Sequence, residues 1–175
     1  MEKHAIIDSL LCPFKPIIGE DYNRYRNHVC RVFSNCLYLD NQKEHVEKYA
    51  IAAVYHDIGI WTDDTIDYLQ PSIAQAKLYL TKIGKSHWNE EVSKMIDWHH
   101  KINVYQENDF ETVEIFRKAD WTDVSLGVLS HGIPKQLLNT DKKQFPNLGF
   151  HWFLIKKILA NLTKHPLNPL PMFKK

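Results

Sequence analysis

Apolar positions along the chain recur at three- and four-residue spacing far more often than they alternate. That period belongs to helices that bury one face. The clearest run is GEDYNRYRNHVCRVFSNCLYL, 19–39, where Tyr25, Val29, Val32, Phe33, Cys36 and Leu37 share a face behind an acidic first turn. NQKEHVEKYAIAAVYHD, 41–57, predicts a second helix, with Asn41 as its N-cap and Gly59 just past its end. A loop, 60–70, follows. Pro71 suits a first helical turn, and the run 71–84 closes on Gly84. Further helices are expected over 89–102, with Val92, Met95, Ile96 and His99 on one stripe, and over 110–127, 133–143 and 149–165. The tail 166–175 contains Pro166, Pro169 and Pro171 and is expected to run extended. The pattern predicts an all-α fold, a compact single-domain bundle of about seven to eight helices.

Composition narrows this further. A chain of 175 residues fits one domain spanning 1–175, long enough to bury a core without staples. Apolar residues at 44% argue against disorder, and only six glycines argue against an all-β fold. Cys12, Cys30 and Cys36 cannot all pair with one another, and none sits in a CxxC spacing, so free thiols in a reducing compartment are expected. The N-terminus lacks the pattern of a signal peptide, and no apolar stretch approaches the roughly 18 residues of a membrane span. The expected location is cytoplasmic, with no membrane partner. Residues 130–175 carry eight lysines and one acid, Asp141, while residues 1–129 carry an excess of acids. The lysines lack the arginine and aromatic interleaving that base stacking favours, so nucleic acid is not the expected partner. They read first as a solvated last helix and tail. The oligomeric state is not legible.

Several polar side chains fall where an apolar stripe should be. His28 lies among Tyr25, Val29 and Val32; His56 and Asp57 close the next helix; His99 and His100 end another; Asp120 interrupts Val113, Phe116, Ala119 and Val124. A buried charge is costly unless it is paired or bound to a metal. Singly, each residue has an ordinary explanation, such as a surface pair of Asp120 with Arg117 or Lys118. Together they form a mixed nitrogen and oxygen set from separate helices. Such a set suits a divalent transition ion (Mn, Fe, Co, Ni or Zn) better than calcium. His4, His45, His87, His131, His151 and His165 show no such grouping and read as structural or solvated.

The ordered pattern His28, His56-Asp57, Asp120, with HDIG closing an apolar helix and ADWTD following later, resembles the HD-domain metal-dependent phosphohydrolase superfamily over about residues 20–125. The stretch 130–175 carries no part of that motif. The resemblance implies one metal held by His28, His56, Asp57 and Asp120 in a buried site between helices. It implies metal-activated water attacking phosphorus, and a nucleotide or small phosphorylated metabolite as substrate. A second, weaker metal site stays open. Asp57 would bridge to a second ion or orient the water. Many relatives have Lys directly after HDIG, where this chain has Ile60. Relatives with two metals have a His opening the next helix, where this chain has Pro71-Ser72; their other extra His matches His99 or His100. His99 and His100 are thus candidate phosphate contacts or general acids, and Asp64 in the loop after HDIG is a candidate acid or base. Candidate substrate contacts are Arg24, Arg31, Lys101 and Arg117 for phosphate oxygens and Trp61 for stacking. Two alternatives remain in view. One is a mixed-valence di-iron oxygenase, which needs the full histidine set. The other is a non-catalytic HD module that binds a nucleotide.

Overall fold

In the computed structural model, residues 4–107 and 109–164 are described, and every regular element among them is helical. Seven helices have ten or more residues: α3 (Tyr22–Leu39), α4 (Val46–Tyr55), α6 (Leu69–Lys82), α7 (Asn89–Trp98), α8 (Glu111–Val124), α9 (Lys135–Gln144) and α10 (Phe150–Lys164). Shorter helices are α1 (Ala5–Leu11), α2 (Lys15–Ile18) and α5 (Gly59–Thr62). The all-α expectation holds.

The centre is built from α3 and α4. Residues Tyr49 to Val54 of α4 are wholly buried. A helix that is apolar all round can only be stable inside the protein. Beside it, α3 is buried from Asn27 to Cys36, polar residues included. Two side chains of α3 reach the backbone of its neighbours. Tyr25 donates its hydroxyl to the carbonyl of Val54 at 2.8 Å, and Asn35 donates to the carbonyl of Ala119 at 3.0 Å. The first bond fixes α3 on α4, the second fixes α3 on α8. Around this pair, α6, α7 and α8 pack in sequence, each against the next.

Four details depart from the sequence expectation. A helix forms over Ala5–Leu11, where none is expected; Ile7 and Leu11 are buried against α3 and α4. The run is too short, and too close to Pro13, to show a full apolar period. The second helix begins at Val46 rather than 41, after a 3₁₀ turn over Lys43–His45. Gln42, not Asn41, precedes that turn, and Asp40 accepts the Gln42 amide at 2.9 Å. The loop 60–70 contains most of α5 and the start of α6. The tail 166–175 lies outside the described residues. Cys12, Cys30 and Cys36 are free, the last two buried. Among the described residues no helix is long and apolar enough to cross a membrane.

Candidate metal centre

The HDIG segment sits where α4 stops and the chain turns into α5. Its glycine is needed for a close approach. A Cβ on Gly59 would lie 2.5 Å from the carbonyl oxygen of Tyr68 and 2.9 Å from Cβ of Pro71. The start of α6 therefore presses directly on the turn, and Ser72 accepts the Gly59 amide at 2.9 Å. This contact holds the preceding His56 and Asp57 towards the interior.

Five side chains converge there from four helical segments. His28 comes from α3, His56 and Asp57 from the end of α4, His99 from the end of α7 and Asp120 from α8; each is at most 2% exposed. His28 donates Nδ1–H to Asp123 at 2.7 Å. His56 donates Nδ1–H to the carbonyl of Ala53 at 2.8 Å, and His99 donates Nδ1–H to the carbonyl of Ile96 at 2.6 Å. All three rings thus spend Nδ1 on the protein and turn Nε2 inward.

The inward atoms are too close for neutral groups left alone. Nε2 of His28 lies 3.0 Å from Nε2 of His56. With both Nδ1 atoms protonated, two lone pairs would face each other, so a proton or a cation must sit between them. Asp57 Oδ2 is 3.3 Å from His56 Nε2 and 3.7 Å from His28 Nε2; Asp120 Oδ1 is 3.6 Å and 3.7 Å from His28 and His56 Nε2. Asp57 Oδ1, Asp120 Oδ1 and His99 Nε2 are buried with no hydrogen-bond partner. Separations of 3.0–3.7 Å are those of ligand atoms sharing one small ion held at about 2.0–2.2 Å. The donor set of His28, His56, Asp57 and Asp120 therefore fits a divalent cation, which would satisfy the orphaned Asp120 Oδ1.

Protonation in the cation-free cluster follows the same geometry. Burial alone would push the His56 imidazole down, but the carboxylates of Asp57 and Asp120 outweigh it and hold it up at about 9. Burial would raise Asp57, yet His56 and then His99 keep its carboxyl well below the usual carboxylate range. Asp120, with burial as the dominant effect, is raised. One carboxylate is kept ionised and the other pushed towards the neutral form. His100 is held well below its ordinary value by burial and then by His99. Its Nε2 meets the hydroxyl of Tyr68. Asp57, His99 and His100 form a second group whose ligand atoms lie within 4.8 Å of one another, with Asp57 Oδ1 3.5 Å from His99 Nε2.

The remaining candidates fall elsewhere. Arg31 is buried in a two-pronged pair with Asp123 (2.5 and 2.9 Å) and also donates to the carbonyl of Phe145. Burial would raise Asp123, but His28 and Arg31 depress it strongly. Arg31 thus steadies the residue that orients His28. Arg117 is buried against Glu114 and donates to the carbonyl of Lys101. Lys101 pairs with Asp97 and lies over the Trp98 ring, and Arg24 pairs with Asp21. Trp61 donates to Asp21 and stacks on Phe153 at 5.5 Å. Asp64 is exposed and pairs with Lys157. Its side chain is 89% exposed, because the turn that holds it has φ +45° and carries it outward.

Two contributors escape the sequence reading, Asp123 and α10, and Tyr68, a flanking aromatic there, is engaged through its hydroxyl with His100. Phe150 of α10 stacks on the His28 ring at 4.2 Å, and Leu154 and Ile158 share a cavity with Asp120. The i, i+3 pair Asp120 and Asp123 in ADWTD was a usable signal, since that spacing places both on one helix face. No local signal ties Phe150 to His28.

A family model described as HD domain matches residues 25–125, more than half of the chain. That span contains His28, His56, Asp57, His99, Asp120 and Asp123 and ends before α9. Comparisons with curated proteins and with solved structures give no match.

Proposed function

We propose, from the premise that this chain belongs to the HD-domain family, that it is a metal-dependent phosphohydrolase acting on a small phosphorylated compound. The family is one of metal-dependent hydrolases, and the buried His/Asp cluster suits a divalent ion. The observation that carries the reading is the facing pair of Nε2 atoms at 3.0 Å beside two orphaned carboxylate oxygens. A protein gains nothing in stability from such a cluster unless a cation fills it.

His28, His56, Asp57 and Asp120 would hold the ion, with Asp123 and Arg31 fixing His28 from behind. A bound divalent cation supplies Lewis-acid polarisation of a phosphoryl oxygen and lowers the pKa of its coordinated water. The other groups act as protein residues. His99 keeps Nδ1 on the Ile96 carbonyl, so its Nε2 is the free basic atom, 3.5 Å from Asp57 Oδ1. It is placed to take up or return a proton at that side of the cluster. His100, kept neutral and joined to Tyr68, can steady an oxygen without adding charge. Phe150 covers the His28 ring and keeps bulk water from that face.

The test is inorganic phosphate release from a panel of phosphomonoesters and diesters, by protein loaded in turn with Mn, Co, Ni, Zn and Fe(II). Turnover that needs the metal and disappears in Asp57→Asn supports the reading; no release with any metal sinks it. The second group of Asp57, His99 and His100 keeps a di-iron oxygenase as a second reading. Two irons per chain and oxygen consumption would support that alternative.

A further inference from the structure

A cavity of about 140 Å³ adjoins Asp120. Its walls are Ile66, Val124, Leu154 and Ile158, with Trp121 as a flat face. Its polar end is made of Tyr68, His100 and Asp120, the edge of the candidate metal centre. An apolar chamber opening on a polar cluster is the arrangement of a small-molecule site, where the walls hold the body of a ligand and a few polar groups fix its reactive end. A void lined by aliphatic side chains costs stability.

We infer that this cavity receives the organic part of the substrate, and that the substrate is a monophosphate ester presenting one small ring. The inference rests on the phosphohydrolase reading. Size sets the first limit. An apolar cavity of about 150 Å³ takes one benzene ring and stays dry without it, so 140 Å³ leaves no room for a fused bicyclic base with its sugar. Chemistry sets the second limit: four aliphatic walls and an indole offer no hydrogen-bonding edge to read a base. Charge sets the third. Arg24, Arg31 and Arg117 are each paired with a carboxylate, and Lys101 and Lys157 likewise. Arg31 and Arg117 are buried besides. With Arg31 and Arg117 held in buried pairs, the charge of one phosphate falls to the metal centre, where a triphosphate would need further free positive groups.

The decisive experiment uses the full chain loaded with manganese and compares kcat/KM for phenyl phosphate, 1-naphthyl phosphate and a purine nucleoside triphosphate. Phenyl phosphate is expected to lead both by about tenfold or more, the range by which apolar pockets discriminate on size. Ile158→Ala, which enlarges the chamber from the α10 side, should raise naphthyl over phenyl turnover by about tenfold. A readout without metal or turnover accompanies it. Toluene should raise the Tm of the chelator-treated protein, and Val124→Phe, which fills the chamber, should abolish that rise; Ile158→Trp serves if Val124→Phe does not fold. Hydrolysis that favours the naphthyl ester or the triphosphate overturns the inference while leaving the hydrolase standing. So does a Tm that toluene leaves unchanged. Absence of turnover for every ester sinks the phosphohydrolase reading and the inference with it.

Discussion

Asp123 accepts the Nδ1 proton of His28 at 2.7 Å, across 95 residues of sequence, and takes both prongs of Arg31 on the same carboxylate. His28 and Arg31 are spaced i, i+3 on α3; Asp120 and Asp123 are spaced i, i+3 on α8. Two matched helix faces thus meet, and one residue of each pair turns to the candidate metal centre while the other braces it. Asp123→Asn keeps the shape but weakens the acceptor that orients His28. Metal affinity should fall about 10–100-fold, as it does when such outer carboxylates are lost. Titration calorimetry checks this. An unchanged affinity would show that His28 does not need the brace.

Filling the centre should trade stability between states. In chelator-treated protein, Asp120→Asn removes the charge of a buried carboxylate whose Oδ1 has no hydrogen-bond partner and for which burial is the dominant effect, so the variant should match or exceed the wild type in thermal stability. With metal at about 100 times its Kd, the wild type should gain about 2.7 kcal/mol and the variant far less. Paired thermal melts with and without metal read both effects. A variant that is less stable than wild type in chelator would mean that Asp120 is satisfied in some other way.

Gly59→Ala should cost about 1–3 kcal/mol, the usual penalty of overpacking. The added carbon would meet backbone at Tyr68 and the ring of Pro71, neither of which can swing aside. Either α6 shifts, or the turn that presents His56 and Asp57 does. Urea denaturation measures the stability loss, and metal affinity should fall in parallel because the same turn carries two of the proposed ligands.

A pH effect separate from the metal centre comes from Asp40, between α3 and α4. Burial would raise its carboxyl, but the Tyr49 hydroxyl, the Gln42 amide and His45 outweigh it and leave it lowered. The unfolded chain therefore binds the proton more tightly than the folded one. The stabilisation from this carboxylate is full above its unfolded pKa of about 3.9 and is lost as pH falls through the lower folded value. Asp40→Asn should lower stability at pH 7 and flatten the acid limb of the stability curve. Urea midpoints across the acid range check this; parallel wild-type and variant curves would contradict it.

Much of the site was legible because its chemistry conflicts with its surroundings. His28, His56, Asp57 and Asp120 stand out as polar residues on stripes that otherwise bury, and helical period alone places them inside. Asp123 and Arg31 were harder to read because an acid and a base on amphipathic helices look like solvated charges. Only the meeting of α3 with α8 makes them a pair. Arg117 and Lys101 are engaged in the same way, Arg117 by Glu114 and the Lys101 carbonyl and Lys101 by Asp97. Asp64 follows the HDIG turn closely in sequence, but its left-handed backbone points it out to solvent. Ser72 shows the reverse case. It stands where two-metal relatives carry a histidine, and it is spent on the Gly59 amide. Phe150 and the cavity walls on α10 depend on long-range packing that no local pattern announces.

His28, His56, Asp57 and Asp120 are proposed to hold a divalent cation. Elemental analysis of protein purified without chelator or metal-affinity tag, with Asp57→Asn in parallel, tests it most directly. About one transition ion per chain is expected in the wild type and nearly none in the variant, since loss of a charged ligand from a mixed His/carboxylate set removes most of the affinity. No bound metal in the wild type, even after Mn, Co or Ni is added back, would contradict it. So would equal metal in the two proteins.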